Sequence, residues 1–436
     1  MKRIFLPALV AMALFIYQPA LTASPFSEDI VEPMKEKAAE FTKDSGNFVK
    51  QKFENLKDKT SRVFSGIAEK INDVARKKLD LSEIVAQKVL IPGHENHNFV
   101  CQGIAFLPDK IAADHQEIFD NKTWRYALLS YYPKTEYTDQ PSQIVVVDMI
   151  RNRPVARFSL FQNQAKPYKG HAGGIAVAGK YLWVASSFKI YAFPLQKIID
   201  LVFTQTKSGK PDKFSPESLQ LPAAELVAVS AFPVDSKASY VSFDGKFIWV
   251  GDFSRPGSSD YQPVKHHAAN PWKKPTWISG YLVDRDGFPI SRIKYSFKDG
   301  KTSRSAYKPD LVLCCRESVQ GMAMFKDHVA LSISYGAQNS KLAVYRSPLI
   351  EKKNGKTIKI GGKHEIPAYS LGEDEENWLK TIELPAGAED LEFDGRFLYV
   401  TFEGASANYR DRWLKINPRI SIEENFYLIN SGRLLK

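Results

Sequence analysis

Along most of the chain, apolar and polar residues alternate with a period of two in short runs, the pattern of half-buried β-strands. One local arrangement recurs. Ile175–Val184, Val241–Val250 and Leu391–Val400 each read as two short alternating strands around a Gly-containing turn. Met322–Leu331 is a weaker copy, and Ile104–Phe106 has its hairpin partner far off, at Tyr126–Ser130. Successive copies start roughly 66 to 81 residues apart, a spacing that predicts a repeat architecture.

A further strand is expected before each hairpin, over Val85–Ile91, Pro154–Leu160, Glu225–Ala231, Ser291–Phe297 and Leu379–Leu384. Third strands are expected over Gln143–Asp148, Lys189–Phe193, Gly280–Asp284, Lys341–Tyr345 and Trp413–Ile416. Four strands, five times over, predict an all-β fold: a five-bladed antiparallel β-propeller spanning 84–436. The count closes only if the strand at Val85 completes the last blade, which would also remove an exposed sheet edge.

Residues 24–83 follow a different rule. From Glu28 to Lys78 they are rich in Lys, Glu and Ala. Apolar residues such as Met34, Phe41, Phe48, Phe53, Leu56, Val63, Ile67, Ile71 and Val74 recur at mostly helical steps. This predicts an N-terminal amphipathic α-helical arm, broken near Gly46. The apolar stripe needs a cover: the propeller itself, a second copy of the arm, or a membrane surface.

The first residues change the picture again. Lys2 and Arg3, the apolar run Ile4–Ile16 and the small-residue stretch ending at Ala23 read as a signal peptide over 1–23. Export, to the periplasm or beyond, is the expectation. Formal net charge is +11 over 436 residues. No Lys/Arg cluster with interleaved aromatics stands out, which speaks against nucleic acid as a partner. The three cysteines, Cys101, Cys314 and Cys315, lack metal-site spacing. A bridge from Cys101 to one of the pair, a bridge between the neighbours, and three buried thiols all remain open.

His171-Ala-Gly-Gly-Ile175 followed by Tyr181–Ala185 resembles segments of exported bacterial five-bladed propellers of uncharacterised role. Gln320-Gly321, Ser334-Tyr335-Gly336 and Ser340–Tyr345 give a looser resemblance to the plant-type glutaminyl cyclase family, also five-bladed. That family carries a glutamate two residues after the Gln-Gly glycine, where this chain has Ala323. The resemblance therefore implies the fold and not the catalytic group.

In a propeller the loops around the innermost strands converge on one mouth of the central channel. The expected ligand-binding residues there are Gln102, Tyr131, His171, Tyr240, Asp252, Gln320, Tyr335 and Glu389. For an enzyme, Glu389 and Glu403 are the candidate acid/base groups, with His171 as partner. His171 and Glu389 also offer a His/carboxylate set for Zn²⁺ or Ca²⁺. His266-His267 sits in a long Pro- and Trp-containing insertion from about Arg255 to Trp277. No nucleophile elbow, zincin helix, phosphate loop or EF-hand loop is present. The expected function is binding of a polar ligand or protein at the channel mouth. The alternative is a hydrolase, lyase or glutaminyl-cyclotransferase-like enzyme at the same mouth.

Overall fold

The computed structural model describes residues 80–107, 126–134, 136, 138–207, 219, 221–255, 257–258, 261–351 and 355–436. The leader over 1–23 and the arm up to residue 79 lie outside the described residues. The compact unit that contains the described residues runs from Leu79 to Lys436.

β1 (Val85–Leu90) follows a one-turn helix, Leu81–Ile84, whose N-cap Asp80 accepts the Ser82 amide. The first blade is β2 (Phe99–Phe106), β3 (Tyr126–Pro133), β4 (Gln143–Asp148) and β5 (Arg153–Asn163), with β6 (Lys166–Pro167) folding back on β5. The second is β7 (Ile175–Ala178), β8 (Tyr181–Ser186) and β9 (Lys189–Pro194). Next come the helix Leu195–Lys207, β10 (Ala223–Val227) and β11 (Ser230–Pro233). β11 completes this blade, whereas β10 adds to the first blade, parallel to β5.

The third blade holds β12 (Tyr240–Phe243), β13 (Phe247–Gly251) and β14 (Thr276–Leu282). A separate hairpin, β15 (Lys294–Asp299) and β16 (Thr302–Tyr307), precedes its outer strand β17 (Leu311–Cys315). The fourth blade is β18 (Val319–Phe325), β19 (His328–Ile333), β20 (Ser340–Arg346) and β23 (Trp378–Leu384). Its excursion, β21 (Lys356–Ile360) and β22 (His364–Ser370), pairs with β17 of the third blade. The fifth is β24 (Ala388–Phe393), β25 (Phe397–Phe402) and β26 (Asn425–Asn430), closed by β1 in antiparallel register, Val89 opposite Phe426.

The inner strands form a ring: β2 packs on β7, β7 on β12, β12 on β18, β18 on β24, and β24 back on β2. Five four-stranded blades and the borrowed first strand are as expected. Three strand assignments are corrected. Ser291–Phe297 was expected as an outer strand, but from Lys294 it belongs to the β15–β16 hairpin; β17, carrying Cys314 and Cys315, takes that place. Glu225–Ala231 divides between two blades, because the chain turns between β10 and β11. Trp413–Ile416 is the end of the helix Ala407–Ile416, and the third strand of the last blade is β26. Trp413 buries in a small cluster with Ala386 and Ile420, leaving the strand position to the uninterrupted Phe426–Ile429 run.

Candidate functional site: the carboxyl pair at the channel mouth

Three of the five inner strands carry a β-bulge, and each bulge holds a candidate residue. In the first blade Gln102 and Gly103 together face Ser130. In the fourth, Gln320 is the extra residue between Val319 and Gly321. In the fifth, Glu389 and Asp390 face Thr401. A bulge re-aims a side chain while the ladder resumes on either side. The hydroxyl opposite each bulge joins neighbouring blades: Ser130 donates to the Ala172 carbonyl, Ser332 to Ala388 and Thr401 to Gln102.

The bulged residues meet in a chain of hydrogen bonds. Gln320 Nε2 donates to Glu389 Oε1 at 3.0 Å, and Gln102 Nε2 donates to Glu403 Oε2 at 2.8 Å. The Glu389 and Glu403 carboxyls are close enough for each to perturb the other's proton affinity directly. Two carboxyls this close do not both ionise cheaply, which favours one proton held between them. Burial, then the Glu403 charge, holds Glu389 well above the usual carboxylate range. Burial pushes Glu403 up to about 7, held back by the Gln102 amide and Lys134.

His171 extends the chain. Its Nδ1 lies 3.3 Å from Gln102 Oε1, and its ring stacks on Tyr132 with centroids 3.9 Å apart. The ring is solvent-exposed. Loss of bulk water and the Lys134 charge pull it down to about 4. A neutral ring with Nδ1–H donating to the amide oxygen leaves Nε2 as an acceptor. Tyr132 and Tyr409 join hydroxyls at 2.8 Å, and Lys134 Nζ donates to Tyr409 Oη at 3.3 Å. Lys134 also lies over the Tyr409 ring, 4.6 Å from its centroid.

Of the sequence candidates, Gln102, His171, Gln320, Glu389 and Glu403 come together. Tyr131 does not: it is buried and donates to the Pro92 carbonyl at 2.8 Å. Asp252 and Tyr240 are fully buried, and among the described residues neither Asp252 oxygen nor the Tyr240 hydroxyl has a hydrogen-bond partner. Tyr335 is 40% exposed and packs under the Arg255 guanidinium, 3.7 Å from its ring centroid, with Phe253 alongside. The reason is the period of two. Aligned by blade, Tyr131, Asp252 and Phe402 share one position and Tyr132, Phe253 and Glu403 the next, so a one-residue choice decides between core and mouth. Tyr131 and Tyr132 both stand in the hairpin-exit loop expected at the mouth, and it is Tyr132 that joins the site; Lys134 and Tyr409 are members that the sequence did not point to. β3 is buried throughout and shows no alternation to choose by, and Tyr409 lies on a helix where a strand was expected nearby.

The axis below this set is crowded. Asp390 Oδ2 accepts the amides of Ile104 and Ile175, both at 3.1 Å, pinning the inner strands of the first two blades to the fifth. A Cβ on Gly321 would stand 2.6 Å from the Glu389 carbonyl oxygen, and one on Gly174 2.7 Å from the Tyr240 Cα. Glycine there permits close strand approach. The three cysteines are buried free thiols, and burial pushes Cys314 up to about 12.

No protein-family model matches the chain, and no curated protein matches it. Among solved structures, glutaminyl cyclase of Myxococcus xanthus is similar at TM-score 0.34 and 8% identity, covering 79% of this chain and 94% of that one. BamB of Moraxella catarrhalis is similar at TM-score 0.30 and 8% identity, covering 79% and 99%. The computationally designed Ika8 protein gives 0.26 and 8%, covering 76% and 70%. The assignment of a five-bladed propeller stands on the strand pairing described above.

Proposed function

We propose that this propeller binds a small, neutral, hydroxyl- or amide-bearing molecule at the channel mouth. The observation that carries the reading is the proton-sharing Glu389–Glu403 pair, flanked by two side-chain amides and a stacked Tyr132–His171 platform. At neutral pH the pair carries at most one negative charge, and Lys134 lies close enough to Glu403 to offset it. A site with near-zero net charge, mixed donors and acceptors and aromatic faces suits a neutral polar ligand better than an ion. The proposal also places the protein outside the cytoplasm, on the strength of the N-terminal leader pattern.

Calorimetry with a panel of sugars, amides and amines tests this. A binder from the sugar or amide set is expected, with affinity falling at least about tenfold in Gln102→Ala and Glu403→Ala. A panel compound that binds wild type and both variants equally would place binding elsewhere and refute the reading.

A second reading rests on one specific observation: a carboxyl near 7 is matched to acid/base work at neutral pH. Turnover in a hydrolase and glutamine-cyclisation panel, abolished by Glu389→Gln in a folded protein, would make the mouth catalytic.

A further inference from the structure

Away from the mouth, the third blade gathers a second set of chemical groups. Asp235 lies in the loop after β11. His266 and His267 come from the insertion between β13 and β14, and Tyr295 from β15. Their side chains meet in one place. His266 Nε2 is 3.7 Å and His267 Nε2 4.0 Å from Asp235 Oδ2, and the ligand atoms offered by these three residues lie within 4.8 Å of one another. The Tyr295 hydroxyl is 2.7 Å from Asp235 Oδ2 and 3.3 Å from His266 Nε2.

The geometry points to a site for one divalent transition-metal ion of the zinc type, held by Asp235, His266 and His267, with Tyr295 at its edge. A point equidistant from three atoms so spaced lies about 2.5 Å from each, against ordinary zinc–nitrogen and zinc–oxygen distances of about 2.0–2.2 Å. Each side chain needs to close by only a few tenths of an ångström. Two imidazoles and one carboxylate select zinc-like ions over calcium or magnesium, which take oxygen ligands.

The surroundings are built for this. Asp235 and His267 are fully buried, and His266 keeps 22% of its side chain accessible, giving an entry side. Asp235 is oriented by hydroxyls that do not need to leave: Ser279 donates to Oδ1 at 2.7 Å and Tyr281 at 3.3 Å. Such outer contacts fix a ligating carboxylate. Trp277 packs on both histidines, and Phe297 on His266, walling the site with rings. Among the described residues the ion-pair partners of this buried carboxylate are the two histidines, so a cation is what the cluster lacks. His267 Nε2 lies 3.1 Å from the Asp235 carbonyl. The Asp235 carbonyl holds the His267 proton on Nε2 in the metal-free protein, so ion binding requires that proton to move to Nδ1, which in both histidines is buried and has no hydrogen-bond partner among the described residues. The ion would join the loop after β11 to the insertion between β13 and β14, with Tyr295 of β15 beside it.

The test uses full-length protein stripped with a chelator and dialysed against a slight excess of Co²⁺, a spectroscopic stand-in for zinc. About one Co²⁺ per chain is expected, with the visible absorption of a four- or five-coordinate ion and a raised melting temperature. The same stoichiometry is expected in Glu403→Gln, which leaves this site intact. His266→Asn should lose at least about tenfold in Co²⁺ affinity while its metal-free melting temperature stays near that of metal-free wild type. If that variant fails to fold, Tyr295→Phe provides the readout: one Co²⁺ is still bound, with an altered visible spectrum. Less than half an equivalent of Co²⁺ on wild type overturns the proposal. So does stoichiometric Co²⁺ retained by folded His266→Asn, or an unaltered spectrum in Tyr295→Phe where that variant is the readout.

Discussion

A chain beginning at Pro92 is expected not to fold, whereas a chain beginning at Leu79 is expected to unfold as one cooperative unit. The thirteen residues between supply β1, which pairs with β26 from Val85 to Leu90 and closes the fifth blade. Ile84, Val89 and Ile91 are buried in a cluster with residues of the first, fourth and fifth blades. Burying three such side chains stabilises by roughly 5–8 kcal/mol, comparable to the whole net stability of a typical domain of about 5–15 kcal/mol. Truncation would also bare the hydrogen-bonding edge of β26, an invitation to aggregation. Circular dichroism melts of the two chains check this. A soluble, cooperative protein starting at Pro92 would show that β1 is dispensable for closure.

Stability is expected to fall as pH rises from about 4 through 7. Two of the buried carboxyls behind this are Asp252 and Glu403; Glu389, Asp390 and Glu392 are raised in the same direction by burial. Burial pushes Asp252 from its usual range to about 7, with Lys237 holding it back in part, and Glu403 also to about 7. A carboxyl with a raised pKa in the folded state binds its proton more tightly folded than unfolded. Its contribution is therefore fully present below the unfolded value near 4 and lost as pH rises through about 7. At about 1.4 kcal/mol per unit, the loss is of order 4 kcal/mol for Asp252 and of order 3 for the half-buried Glu403. Asp252→Asn and Glu403→Gln keep the shape and remove the titration. Each should therefore be more stable than wild type at pH 8 by a margin that shrinks toward pH 4. Urea midpoints at pH 5 and pH 8 measure the difference. A variant that tracks wild type at both values would contradict the buried, protonated state of that carboxyl.

The architecture was legible because it rests on repetition. Copies such as Val241–Val250 and Leu391–Val400 show the same alternation in every blade, and closure by Val85–Ile91 follows from counting strands. What failed was assignment where insertions intervene. The β15–β16 hairpin has the alternation of an outer strand, and only pairing with β14 distinguishes β17 from it. Within the site, Gln102, Gln320 and Glu389 were found because each stands at the entry to an inner strand. Tyr131 and Asp252, expected as ligand-binding residues, are buried instead, because sequence alone does not fix which parity faces the mouth. The bulges that set that parity involve pairing across strands, as at Gln102–Gly103 opposite Ser130. His266 and His267 were visible as a pair, but Asp235 and Tyr295 lie some thirty residues to either side, and only the fold joins them.

At neutral pH the proposed mouth holds two carboxyls sharing one proton. Carbon-13 chemical shifts of the glutamate side-chain carboxyl carbons, followed from pH 4 to pH 9 in wild type, Glu389→Gln and Glu403→Gln, test it directly. The account predicts a protonated glutamate resonance that persists to about pH 7 in wild type and changes its titration in both variants. If every wild-type glutamate has ionised by pH 6, the carboxyls do not share a proton and the proposed site loses its basis.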